Sequence, residues 1–341
     1  MKEPHCKCCN RPVKCRGMCK AHYERWKAGK RGEELEAPVR DYGLGEVDLL
    51  DNSGPELPKL VYDTEWKRFA EWIGIRAERR PKYVPLPKDK HILHGVISDS
   101  HSPFHDLDCI SEAVDWMFKE GVQVLHLVGD VNDHYGLSRF LQYEPVPIQH
   151  EAIETRKILD LFSRSFAEVY VMSGNHEARE LKYLAARLPP DLVQWYAGKG
   201  FIARLTEDMP NVHIVSRTVE GTVMKWVAPV GKDLVLAHAE SASKIPMRAA
   251  DNVRHWLDSW HETIGVENRP RVIMQAHTHS AGVTPVGKQI IVELGCTCKI
   301  QGYALQPNLY PKPQVQAATV FEQREQVTLL NSIRQRYLKV A

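Results

Sequence analysis

The chain has 341 residues, 43% of them hydrophobic and 26% charged, a composition of folded globular proteins that excludes a wholly disordered chain. No apolar run approaches the roughly 18 to 20 residues of a membrane span, and the N-terminus MKEPHCKCCN has no apolar leader core, so neither a membrane helix nor a secretory signal is expected. The formal net charge is +2, yet residues 1–32 carry ten Lys/Arg against two Glu, which sets a basic head on a mildly acidic body.

The head also holds five of the eight cysteines: Cys6, Cys8, Cys9, Cys15 and Cys19. A disulfide framework spreads through a small secreted chain, whereas clustering beside His5 and His22 without a leader points to metal binding in a reducing compartment. Cys6-x-x-Cys9 followed by Cys19-x-x-His22 has the ligand spacing of one structural zinc, with Cys8 and Cys15 as competing ligands. About 20 residues cannot build a core of their own, so zinc would supply the stability. Arg11, Lys14, Arg16, Lys20 and Arg25, interleaved with Tyr23 and Trp26, make a candidate surface for phosphate contacts and base stacking. The plainer alternative is a patch that only keeps the module soluble.

Residues 33–90 are rich in Pro, Gly and charge and read as a linker. Within them the spacing of Trp66, Phe69, Ile73 and Ala77 predicts a helix over Asp63–Arg80, stopped by Pro81, with a basic opposite side. From residue 91 short apolar runs alternate with helical segments. The runs are Ile92–Ile97, Val122–Val128, Val169–Met172, Leu234–Ala237, Val272–Ala276 and Ile290–Leu294; the helical pieces are Leu107–Glu120, Ile148–Phe166, Glu177–Leu188 and Pro246–Ile264. This alternation predicts a layered α/β domain. Asn211–Val235 reads as a hairpin leading into the fourth run, and Val315–Glu322 and Gln326–Leu330 as strands of the tail.

The chemistry lies at the carboxyl ends of the runs. The first ends in Ser98-Asp99-Ser100-His101, the second in Gly129-Asp130-Val131-Asn132-Asp133 and the third in Ser173-Gly174-Asn175-His176-Glu177. The fourth ends in His238 and the fifth in Ala276-His277-Thr278-His279. Open α/β sheets build their sites at such ends. Carboxylate, amide and imidazole donors together suit Mn, Zn, Fe or Ni without choosing among them. A single D-x-H arises by chance on the order of once in a chain of this composition, and a lone strand histidine is more often part of a core. The ordered set carries the signal.

That set, D-x-H, G-D-x-x-D, G-N-H-E, H and H-x-H, resembles the calcineurin-like metallophosphoesterase superfamily over residues 91–300. The resemblance implies an α/β fold, a metallophosphoesterase-type β-sandwich flanked by helices over 91–341, here preceded by the small zinc-binding module. It implies two divalent ions: Asp99, His101 and His279 on one, Asn175, His238 and His277 on the other, and Asp130 bridging them. It implies hydrolysis of a phosphoester by a hydroxide that the ions activate, with His176 facing the substrate and Asp133 orienting that imidazole. The protein-phosphatase branch has an arginine after the second aspartate of G-D-x-x-D; here Asp133 is followed by His134-Tyr135-Gly136, which argues against that activity. His105, Arg139, Lys244 and Arg248 are further candidate substrate contacts. Cys296-x-Cys298 has poor disulfide spacing and reads as buried or loop thiols.

The head resembles short zinc-binding modules of bacteriophage nucleases. Together the two resemblances imply a phosphodiesterase or nuclease of phage type, acting on DNA or RNA in the cytoplasm of a bacterial host. The alternatives are a small-molecule phosphodiesterase or phosphomonoesterase whose head docks a partner, and a catalytically dead nucleic-acid-binding protein.

Overall fold

The computed structural model describes residues 91–138, 146–197, 200–215, 217–219, 222–243, 245–262, 269–300 and 314–338. The head with Cys6, Cys9, Cys19 and His22, its basic residues from Arg11 to Trp26, the linker helix Asp63–Arg80, Arg139 and Lys244 all lie outside them.

A seven-stranded sheet holds β1 (Ile92–Ile97), β2 (Val124–Val128), β3 (Glu168–Met172) and β4 (Val212–Val215), mutually parallel. The late strand β12 (Ala317–Arg324) runs antiparallel to β1 and also pairs with β13 (Val327–Thr328) and β14 (Arg334–Tyr337). A five-stranded sheet has the order β10 (Ala281–Val286), β11 (Gln289–Leu294), β9 (Val272–Gln275), β8 (Leu234–Ala237) and β7 (Val227–Val230). The helices are α1 (Leu107–Glu120), α2 (Ile148–Ser165), α3 (Ala178–Ala185), α4 (Pro190–Ala197), α5 (Phe201–Leu205) and α6 (Arg248–Trp260).

Strand alternation sorts the apolar residues into three layers of core. Ile97, Leu125, Leu127 and Val171 pack with Ile110, Met117, Leu159 and Phe162 of α1 and α2. Their neighbours Val96, Val128 and Met172 turn the other way, onto Leu236, Met274 and Val292 of the second sheet. The outer face of that sheet, with Val235, Ile273 and Ile291, is covered by Val253 and Leu257 of α6. The result is helix, sheet, sheet, helix. Buried on both faces, the strands read as continuous apolar runs rather than as an alternating pattern.

One row between the sheets is not aliphatic. Phe321, His94, His126, Tyr170 and His213 stand side by side across β12, β1, β2, β3 and β4, with ring centroids 4.7, 5.2, 5.5 and 4.9 Å apart in turn. His94 Nδ1 lies 3.0 Å from His126 Nε2, while His94 Nε2 makes no hydrogen bond among the described residues.

Several elements depart from the sequence-based expectation. β2 begins at Val124 because the N–H of Val122 still donates to Met117 O in the turn leaving α1. α6 begins at Arg248 because Met247 holds a left-handed φ of 62°, which no helix can include. α3 starts at Ala178, one residue late, with Glu177 as the residue that precedes it and its carboxylate accepting the N–H groups of Asp130 and Gly174. The expected hairpin over Asn211–Val235 is three separate pieces: β4 extends the first sheet, β5 (Arg217–Val219) and β6 (Thr222–Met224) pair with each other, and β7 pairs with β8. In the tail, Gln326–Leu330 gives a two-residue strand and then a 3-10 turn at Leu330–Ser332.

Candidate metal centre

The carboxyl ends of β1, β2 and β3 from one sheet meet those of β8 and β9 from the other. The backbone there is unusual. Asp99, His101, Asp130, His134, His277 and His279 all have φ between 48° and 73°, the left-handed region that side chains rarely enter. Such conformations persist only where the surrounding structure enforces them, and they gather at functional sites. Two glycines make room: a Cβ on Gly129 would collide with the ring of His238, and one on Gly174 with the carboxylate of Asp130.

Two groups of donors result, joined by one carboxylate. In the first, His101 Nε2 lies 3.1 Å from His279 Nε2, which is 3.3 Å from Asp99 Oδ1. In the second, Asn175 Oδ1 lies 2.8 Å from His277 Nδ1 and 3.3 Å from His238 Nε2. Asp130 Oδ2 stands between them, 3.1 Å from His238 Nε2 and 3.8 Å from His101 Nε2. Ligands at about 2.0–2.2 Å from one cation sit roughly 3 Å apart when adjacent, so these spacings fit ions held between the side chains. Asp99 Oδ1 is fully buried and makes no hydrogen bond among the described residues, as expected of an oxygen that awaits a cation. His238 Nδ1 donates to Val128 O at 2.8 Å, which turns its Nε2 toward the site.

The electrostatics follow from the pairing. Burial alone would lower His238, but the carboxylates of Asp130 and Asp99 overcome it and hold the ring near pKa 10. His279 is likewise depressed by burial, yet its interaction with Cys298 and the carboxylate of Asp99 bring it up to about 10. Burial and the neighbouring charge of His176 push His101 down; burial and His238 do the same to His277. Asp99 and Asp130 stay below the usual carboxylate range despite burial, because histidines face them.

His176 sits at the rim, 12% exposed at its side chain, with Nε2 3.8 Å from Asp130 Oδ2. Its Nδ1 donates to the main-chain oxygen of Asp133 at 2.8 Å and lies 3.3 Å from Asp133 Oδ1. Arg179 donates to His176 Nε2 at 2.9 Å, a bond that needs the neutral ring. Burial favours that form as well, but Asp130 and Asp133 favour the imidazolium, and the balance lies above the ordinary value.

The profile of calcineurin-like phosphoesterases matches residues 94–281, more than half of the chain. The chain belongs to that family. Its members are metal-dependent phosphoester hydrolases that hold a dinuclear metal site, and the described residues supply candidate groups for one. Similar solved structures include an archaeal phosphodiesterase, 13% identical over 72% of this chain and 100% of that one at a TM-score of 0.34. Vps29 of Chaetomium thermophilum is 11% identical over 73% and 97% of the two chains, at a TM-score of 0.37. A predicted phosphoesterase from Streptococcus pneumoniae is 11% identical over 73% and 98%, at 0.29. No curated protein matches this chain.

In this phosphoesterase all nine residues read from the motifs in the body come together. Asp133 does more than expected: besides His176, its Oδ2 takes His101 Nδ1 at 3.2 Å and its Oδ1 pairs with Arg179 at 3.1 Å. Arg248 instead pairs with Asp251 on its own helix. His105 is buried and bridges to Cys298. Sequence reasoning missed three residues. Glu177, the last letter of G-N-H-E, accepts the N–H groups of Asp130, Asn132 and Gly174 at 3.0, 3.0 and 2.7 Å. Arg179 follows His176 by one helical turn, a spacing that could have flagged it. Cys298 lies beside His101 and His279, and nothing in its spacing announces it.

Proposed function

We propose that the phosphoesterase hydrolyses phosphodiester bonds of nucleic acid, with Asp99, His101 and His279 holding one divalent ion, Asn175, His238 and His277 a second, and Asp130 shared by both. The placement of Asp130 between two His-containing groups carries this reading. When bound, such an ion pair polarises a phosphoryl oxygen and lowers the pKa of a bound water toward neutrality. The protein's own groups do the rest. Val128 O and the Asp133 carboxylate engage Nδ1 of His238 and of His101, so their Nε2 atoms are the ones turned toward the ions, and His238 gives up its Nε2 proton when an ion binds. His176, positioned by Asp133, hands a proton to the leaving oxygen from its Nε2 in the imidazolium form, which the ring adopts once Arg179 has left Nε2. Arg179 stands where a phosphate oxygen can take over its bond to His176, which supplies a guanidinium that the G-D-x-x-D motif of this chain lacks.

The nucleic-acid substrate is supported by the composition of residues 1–32, read as a zinc-binding basic head on Cys6, Cys9, Cys19 and His22, tethered by a linker over 33–90 to a catalytic body over 91–341. The reading implies a phage-type enzyme at work in the bacterial cytoplasm, and no helix among the described residues is long and apolar enough to cross a membrane. The test compares bis(p-nitrophenyl) phosphate, p-nitrophenyl phosphate and an oligonucleotide on the full chain and on one lacking residues 1–32. Diester and oligonucleotide cleavage should exceed monoester cleavage, and the shortened chain should lose a salt-dependent affinity for DNA or RNA. Preference for the monoester, or binding unchanged without the head, overturns the nucleic-acid reading.

A further inference from the structure

After β11 the chain turns at Gly295 and lays Cys296-Thr297-Cys298 along the loop that follows β1. The N–H of Thr297 donates to Asp99 O at 3.3 Å, that of Asp106 donates to Thr297 O at 2.9 Å, and Cys298 bridges to His105. This anchorage brings the Cys298 sulfur into the first donor group: one ligand atom each of His101, His279 and Cys298 lies within 4.8 Å of the others. All three residues are buried, and the cysteine is free. Independently, Asp99 Oδ1, 3.3 Å from His279 Nε2, is buried without a hydrogen bond among the described residues. A bare carboxylate oxygen, two inward imidazole nitrogens and a sulfur thus share one enclosed space. Around one zinc, adjacent sulfur and nitrogen ligands at about 2.3 and 2.1 Å lie roughly 3.0–3.6 Å apart, so side-chain shifts of up to about an ångström close the set.

We propose that the Cys298 thiolate is a further ligand of the ion held by Asp99, His101 and His279, which makes that position selective for a thiophilic ion such as zinc or cadmium. The inference rests on the dinuclear reading of the site. The thiol gives its proton to solvent as the sulfur–metal bond forms. The other position, built from Asn175, His238, His277 and Asp130, offers only nitrogen and oxygen and carries no such preference. The two ions of this enzyme are therefore chemically distinct.

Cadmium-113 NMR of the full chain, wild type beside Cys298→Ser, Cys296→Ser and Asp99→Ala, tests this. The resonance that Asp99→Ala abolishes is expected to move upfield in Cys298→Ser, toward the range of nitrogen and oxygen donors, and to stay in place in Cys296→Ser. The preference of that position for cadmium over manganese should fall on the order of tenfold in Cys298→Ser. An Asp99-dependent resonance that Cys298→Ser leaves unmoved overturns the sulfur ligand while the dinuclear reading stands. Absence of any Asp99-dependent resonance overturns both. Should Cys298→Ser fail to fold, cobalt(II) loading of the otherwise unaltered chain decides. A sulfur-to-cobalt charge-transfer band removed by Asp99→Ala supports the ligand, and a spectrum without an Asp99-dependent band overturns it.

Discussion

The two sheets set histidines in two places, mid-strand and just past the strand ends. Mid-strand, His94 and His126 stack between the sheets, and burial alone drives His94 down to about pKa 4 and His126 well below its usual value, the latter helped by His94. Past the ends, His238 of the second sheet is as deeply buried, yet Asp130 and Asp99 lift it to about 10. Burial is common to both sets; the carboxylates are not. A buried imidazole with only aromatic neighbours is packing material, whereas one facing a carboxylate is a receptor for a proton or a cation.

Substituting a site histidine should separate the two sets most widely. His176→Ala is expected to cut phosphodiester turnover by roughly 10²–10⁴-fold with metal content intact, measured by steady-state kinetics beside elemental analysis. Turnover at the wild-type level would remove His176 from the chemistry. The next effect is on the metal. With His238 and His279 raised to about 10 in the metal-free protein, an ion must displace protons that are bound below that pH. Apparent metal affinity should therefore climb by up to about tenfold per pH unit for each proton released as pH rises toward about 10, and titration calorimetry in buffers of different ionisation enthalpy should show the release. A pH-independent affinity would erase the distinction between the two sets.

Arg179→Ala sharpens the contrast within the site. The guanidinium lowers the His176 pKa, so without it the alkaline limb of the kcat profile should move to higher pH, with kcat reduced by about tenfold. An unmoved limb would mean that Arg179 only packs. The smallest effect belongs to the mid-strand set. His94 is depressed when folded, so its contribution to stability is complete above about pH 6.5 and is lost as pH falls toward 4, up to about 3 kcal/mol. In urea titrations, His94→Phe should flatten that acid slope while leaving turnover within about twofold of wild type; an unchanged slope would deny His94 any part in acid sensitivity.

How much of the fold and site was legible depended on where each residue's partner lies. The strands Ile92–Ile97 and Leu234–Ala237 and the helix Leu107–Glu120 match their sequence patterns residue for residue. The helix is punctuated by Asp106, whose side chain accepts the N–H of Cys109, and by Gly121 at φ 83°. Asn211–Val235 advertised its strands through β-branched residues and turns, but partners are chosen by distant strands, and β4 pairs with β3 rather than with its sequence neighbour. β10 escaped notice because Gly282, Thr284 and Pro285 dilute its pattern on a strand that, among the described residues, pairs with β11 alone. In the site, motif order pointed to the candidate donors that the fold gathers, while the contacts of Glu177 and Cys298 arise only between folded loops.

Glu177 has a consequence of its own. Its one carboxylate fastens the loop after β2 to the loop after β3, and so fixes how far Asp130 stands from Asn175. A shorter acid at that position would alter the spacing of the two candidate donor groups without deleting a donor. Evolution or a protein engineer could thereby retune which phosphoesters fit, treating position 177 as an adjusting screw on an otherwise unaltered instrument.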